Sequence, residues 1–220
     1  MKLSDNTLNV LKNFSSINHG ILFRAGNTLR TISPQKTVMA SAEVEETFDR
    51  DFAIYDLSKF LGALTLFEQP EIKIGETQAT IAAGNRKLVY TYADPSTFLT
   101  PPAKDLNFPT TDIVLNVSHE DLQKVQKAAN VLQLPETVIS GDGENIYLSA
   151  DDTKNPSKDK YSVAVGTTTR VFNAVFKNEN LKLLTNDYLV EISDKGISKF
   201  SATGVVYFIA TEQNSTFNNI

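Results

Sequence analysis

DFAIYDLSKFLGALTLF, residues 51–67, places two periodicities back to back. Phe52-Ala53-Ile54-Tyr55 is an apolar run of strand length, and Asp56 stands where a helix N-cap belongs. In the helix that follows, Leu57, Phe60, Leu61 and Leu64 share one face and Lys59 points the opposite way. A helix that turns apolar residues to a sheet and a lysine away from it suits a surface facing something anionic.

The same pattern extends along the chain. A first helix is expected from about Ser4 to Phe14, capped by Ser4, with Leu8, Leu11 and Phe14 facing in. A third is expected from about Ser118 to Leu132. Ser118 and Asp121 form a capping-box-like start, Leu122, Val125, Ala129 and Leu132 make the stripe, and Lys124 and Lys127 lie opposite. A fourth, from about Asn178 to Leu184, would turn Leu181 and Leu184 inward and Lys182 outward. Between the helices lie short strands. Ala25-Gly26-Asn27, Ala83-Gly84-Asn85, Gly141-Asp142-Gly143 and Asp194-Lys195-Gly196 each sit between apolar runs, as hairpin turns do. Residues 151–160, DDTKNPSKDK, read as a polar loop. A strand, a helix and then several strands recur four times, which is a repeat of rhythm without sequence identity. Residues 94–111 carry four of the eight prolines and read as an extended connector, so two domains are expected, 1–109 and 110–220.

Composition narrows the function. The 220 residues are 41% hydrophobic and 21% charged, a globular balance. The start, MKLSDNTLNVL, is not a signal peptide, and no apolar run is of membrane-spanning length. A chain without cysteine has no disulfide or thiolate chemistry. A soluble, intracellular protein is expected. The net charge of −5 counts against nucleic acid only if the charge is evenly spread. It is not: Glu43, Glu45, Glu46, Asp49 and Asp51 cluster, while lysines recur on helix faces.

Catalysis has little to stand on. His19 lies in a turn-like stretch and His119 in the first turn of a helix, with no HxH or HExxH spacing for a metal. Ser33-Pro34-Gln35-Lys36 fits the S-x-x-K pattern of serine acyltransferases, but reads better as a turn without companion motifs. Asp142-Gly143-Glu144 and Asp151-Asp152 lack calcium-loop spacing. Nucleotide-binding glycine loops are also missing, so no enzyme activity, cofactor or metal is expected. A single lysine on a polar helix face is usually just solvated. Lys12, Lys59, Lys124, Lys127 and Lys182, with Lys2 and Lys177 just ahead of helices, make a collective case for contact with DNA phosphates. Without interleaved aromatics, duplex is favoured over single strand.

The opening stretch joins Met1-Lys2-Leu3-Ser4, Leu11-Lys12-Asn13-Phe14, Ile17-Asn18, Gly20-Ile21, Tyr92-Ala93-Asp94-Pro95-Ser96, Phe108-Pro109 and Asp121-Leu122-Gln123. In this order and spacing the set resembles the DNA polymerase sliding clamps of tailed myophages. The last third is similar only in rhythm. The resemblance implies an α+β fold of two similar domains, with outer antiparallel sheets and two inner helices each, and three copies joined head to tail as a ring. It implies a processivity factor on double-stranded DNA, partnered by the replicative polymerase's terminal peptide and a clamp-loader ATPase, in the cytoplasm of an infected bacterium. It further implies a partner-peptide groove, which would draw on Phe98, Leu99, Pro101, Pro102 and Phe108 beside their role in joining domains. The alternatives are a structural β-rich phage protein of the tail or baseplate, and a hydrolase with an unusual carboxylate site.

Overall fold

The computed structural model describes residues 1–104, 106–155 and 157–218. The chain divides into two compact units, Met1–Lys104 and Asp105–Ile220.

The first unit opens with helix α1 (Asp5–Ile17). Strands β1 (Ile21–Phe23), β2 (Gly26–Ile32), β3 (Val38–Phe48) and β4 (Phe52–Ile54) follow, then α2 (Leu57–Leu64) and β5 (Glu71–Ile74), β6 (Gln78–Ala83) and β7 (Arg86–Thr91). β1 pairs with β4 and β2 with β3, while β5, β6 and β7 form an antiparallel meander. The two helices pack on each other, and α1 also lies on β3. Phe23 stacks on Phe52 with ring centroids 4.4 Å apart, and Phe48 meets both edge-on. Ile54, Leu57 and Leu11 complete a fully buried centre.

The second unit runs β8 (Ile113–Val117), α3 (His119–Leu132), β9 (Glu136–Asp142), β10 (Asn145–Asp151), β11 (Tyr161–Thr167), β12 (Val171–Lys177), β13 (Tyr188–Ser193), β14 (Ile197–Ala202), β15 (Val205–Ala210) and β16 (Thr216–Asn218). One antiparallel run has the order β11-β10-β9-β12-β16 and another β15-β14-β13-β8. α3 packs across β9, β10 and β11. Few helices among antiparallel sheets is the expected α+β architecture.

Three local expectations need correction. The fourth helix is absent: Asn178–Asn180 make a single 3-10 turn. The reason lies in its hydrogen bonds. Asn178 accepts from Thr137 Oγ1 and donates to the Leu134 carbonyl, while the Leu184 N–H and C=O go to the hydroxyls of Tyr207 and Tyr188. The Asn178 bonds are made by its side-chain amide, whereas those of Leu184 take backbone groups from a helical ladder. Both tyrosines are fully buried, and burial pushes the Tyr188 phenol up to about 12 and Tyr207 further still. Second, Ala25-Gly26-Asn27 does not close a hairpin, because β1 takes β4 as its partner and β2 takes β3. The turns at Gly84, Gly143 and Gly196 do join paired strands. Third, the α3 stripe ends at Ala129. Leu132 is 40% exposed, Gln133 takes a left-handed φ of 54°, and Leu134 fills the buried place instead. In addition, no strand precedes α1 among the described residues, and α1 runs three residues beyond Phe14, to Ile17.

Candidate nucleic-acid interface

Each α-helix is set by a local cap. The Ser4 hydroxyl accepts from Thr7 N at 3.2 Å, the Asp56 carboxylate from Lys59 N at 2.8 Å, and the Ser118 hydroxyl from Asp121 N at 3.1 Å. The caps fix where each helix begins, and 3.6-residue periodicity then decides which face is buried. In α1 that face is Thr7, Val10, Leu11, Phe14 and Ile17, and Lys12 is exposed. Leu8 is only half-buried. In α2, Leu57, Phe60, Leu61 and Leu64 are buried and Lys59 is exposed. In α3, Leu122, Val125 and Ala129 are buried while Lys124 and Lys127, three residues apart, share the solvent face.

The remaining lysines stand differently. Lys2 is exposed just ahead of α1. Lys177 ends β12 and lies 3.6 Å from Glu212, so part of its charge is met within its own unit. Lys182 is exposed on the segment that replaces the fourth helix. Lys124 Nζ is 2.8 Å from Glu120 Oε1 and 3.5 Å from Asp121 Oδ1. The hydrogen bond to Glu120 raises its pKa and keeps it an ammonium.

Two features of the first unit were not foreseen. Lys2 and Lys12 line a groove of about 480 Å³ whose floor includes Leu8, Leu61, Leu64 and Phe67. Its walls come from α1, α2 and residues 67–72, which no local pattern connects. Glu46, expected only as one of an acidic cluster, is a second cap for α1. Its carboxylate accepts from Ser4 N and from the Thr7 hydroxyl. Burial pushes the Glu46 carboxyl up, but the hydrogen bonds from Thr7 and Ser4 outweigh it, and the net shift is downward.

The connector residues fall in both units. The half-buried Phe98 covers Gly20 so closely that a Cβ there would lie 2.6 Å from its ring. The Leu99 carbonyl accepts from Asn18 Nδ2 at 3.0 Å, and the Ala103 carbonyl from Arg30 at 2.7 Å. Pro101 is buried and Pro102 exposed. Phe108, in the second unit, is half-buried with its ring centroid 6.3 Å from that of Phe208. His19 is exposed and edge-on to Tyr55 at 4.9 Å, and His119 donates its backbone N–H to Asp187. Among the described residues no group of three His, Asp or Glu side chains is placed to hold a metal, and no helix is long and apolar enough to cross a membrane.

A family described as DNA polymerase processivity factor matches residues 3–98, and one described as gp45 sliding clamp, C terminal, matches residues 114–213. The chain is 36% identical to the sliding clamp of Vibrio phage KVP40, covering 96% of this chain and 99% of that one. The chain belongs to the sliding-clamp family of DNA polymerase processivity factors. Among further relatives, the sliding clamp of Escherichia phage RB69 is 33% identical, over 98% of this chain and 99% of its own. The fold is also that of more distant clamps. A structure of A. fulgidus PCNA, bound to the C-terminal region of FEN-1, aligns with a TM-score of 0.68 at 12% identity, covering 98% of each chain. The resemblance seen in the first 123 residues therefore extends through the last third. The function is that of a clamp in phage DNA replication, and a tail or baseplate role is not favoured. Clamps are non-enzymatic processivity factors.

Proposed function

We propose that three copies of this chain close head to tail around duplex DNA and tether the replicative polymerase to it. The observation that carries this reading is the pairing, in α1, α2 and α3 alike, of a buried apolar stripe with an exposed lysine. Lys12, Lys59, Lys124 and Lys127 then face DNA, with Lys2, Lys177 and Lys182 adding charge at the ends of the elements. Phosphate contacts of this kind hold DNA without reading its sequence, so the ring slides. Tethering replaces dissociation by sliding and keeps the polymerase at high effective concentration at the primer end. The chain itself needs no catalytic residue or cofactor, and opening of the ring falls to a clamp-loader ATPase in the host cytoplasm.

The free edges suit a head-to-tail contact. β7 and β11 each have one sheet neighbour among the described strands, and Val89 on β7 and Tyr161 on β11 are exposed. A heterologous contact between such edges closes when the rotation per subunit permits, and it hides strands that would otherwise invite aggregation. The polymerase's terminal peptide would dock beside the connector of the first unit, where the half-buried Phe98 and Leu99 and the exposed Pro102 offer apolar surface. A clamp of this fold bound to the C-terminal region of FEN-1 supports a partner docking through its terminal segment. Sedimentation velocity over a concentration series tests the assembly: a trimer is expected, and a protein that stays monomeric well into the micromolar range refutes the ring.

A further inference from the structure

We propose that Glu120 restrains the grip of α3 on DNA by competing with backbone phosphate for Lys124. The inference rests on the reading that α3 faces duplex DNA. Glu120 and Lys124 are four residues apart, with the acid on the N-terminal side, the favourable order for a helical ion pair. Their charged atoms are 2.8 Å apart, and Asp121 adds a second oxygen at 3.5 Å. Both acids lie in the first turn of α3, where the positive end of the helix dipole favours them. Asp121 is held there by the Ser118 hydroxyl, which donates to it at 2.7 Å. Lys124 thus finds its counter-charge on its own helix.

The other helix lysines are placed differently. The residues three and four away from Lys12 are Leu8, Asn9, Ser15 and Ser16, and those around Lys127 are Gln123, Lys124, Asn130 and Val131. None of these is acidic. Asp56, three residues before Lys59, already accepts from the Lys59 backbone N–H as the α2 cap. Lys124 is therefore the helix lysine with an acid four residues before it and another three before it. The pair is solvent-exposed, so it holds weakly and phosphate can displace Glu120. Displacement then leaves a carboxylate beside the phosphate. Glu120 lowers affinity without abolishing it, which suits a contact that must break and re-form as the ring moves.

The test is Glu120→Gln, titrated against a short fluorescein-labelled linear duplex by anisotropy over a KCl series. The variant is expected to bind roughly twofold tighter per engaged subunit, the size of one exposed helical ion pair. Its log–log salt slope should steepen by up to about 0.9 for each lysine released to phosphate. In a Lys124→Gln background the same substitution should have no effect. Glu120→Ala, also a good helix former, should behave like Glu120→Gln, and unchanged thermal unfolding of both excludes a folding artefact. Equal binding by wild type and Glu120→Gln overturns the inference, as does a gain that persists undiminished without Lys124. If Lys127→Gln weakens binding while Glu120→Gln is silent, the inference falls and the DNA-facing reading stands. If Lys59→Gln, Lys127→Gln and Glu120→Gln are all silent, that reading falls with it.

Discussion

Glu46→Ala should loosen α1, and the structure sets the size of the effect. The Glu46 carboxylate satisfies the Ser4 N–H and the Thr7 hydroxyl at the helix start, and Thr7 is fully buried. Alanine removes both acceptors. The loss of a helix cap costs about 0.5–2 kcal/mol, and a hydrogen bond to a charged group up to about 3. Because Glu46 itself is only half-buried, water replaces part of that stabilisation, and about 1–2 kcal/mol is expected. For a chain of 220 residues this lowers Tm by roughly 2–8 °C. The pH dependence is a sharper check. The folded pKa of Glu46 is lowered, so its contribution is present above the ordinary glutamate range and is lost as pH falls through the folded value. Thermal unfolding followed by circular dichroism, at neutral pH and through the acid range, should show wild type losing stability relative to Glu46→Ala as pH drops. If Tm at neutral pH is unchanged, or if the gap between the two proteins is constant with pH, Glu46 is not the cap inferred here.

Neutralising Lys59 and Lys127 together should weaken binding to duplex DNA and reduce the salt slope by about 0.9 for each phosphate that then goes without its lysine, with thermal unfolding unaltered. An unchanged slope in titrations over several salt concentrations argues against helices that face DNA. Phe98→Ala with Leu99→Ala separates the two roles of the connector. Calorimetry against the polymerase's terminal peptide should show weakened binding if these side chains border a groove, and a fall in Tm with full affinity leaves them as packing alone. Gly141→Ala should destabilise the second unit by about 1–3 kcal/mol in denaturant titrations, since its Cβ would lie 2.5 Å from the Phe172 ring and 2.7 Å from the Arg170 carbonyl oxygen. A midpoint equal to that of wild type means the strands yield there at no cost.

What could be read from the sequence alone was what neighbouring residues decide between themselves. Ser4, Asp56 and Ser118 begin their helices because each cap reaches a backbone N–H only three residues ahead. Lys12, Lys59, Lys124 and Lys127 face solvent because a helix whose stripe is buried leaves no other direction. The turns at Gly84, Gly143 and Gly196 follow from glycine's tolerance of positive φ, which each adopts. Tertiary structure decided what depends on strand partners and register. Gly26 has the same turn chemistry and also adopts a positive φ, yet it closes no hairpin, because the partner of β1 is β4, far along the chain. Asn178–Leu184 has helical spacing, but the hydroxyls of Tyr188 and Tyr207 claim the backbone of Leu184 and leave one 3-10 turn. Glu46 lies in the stretch of β3, between the partners of Gly26 and Thr28, where the pairing with β2 shifts register, and from there its carboxylate meets the start of α1. The groove beside Lys2 and Lys12 exists only where α1 and α2 meet. A cap or a turn is settled within four residues, whereas a hydrogen bond across 42 residues is set by which strands pair and in what register.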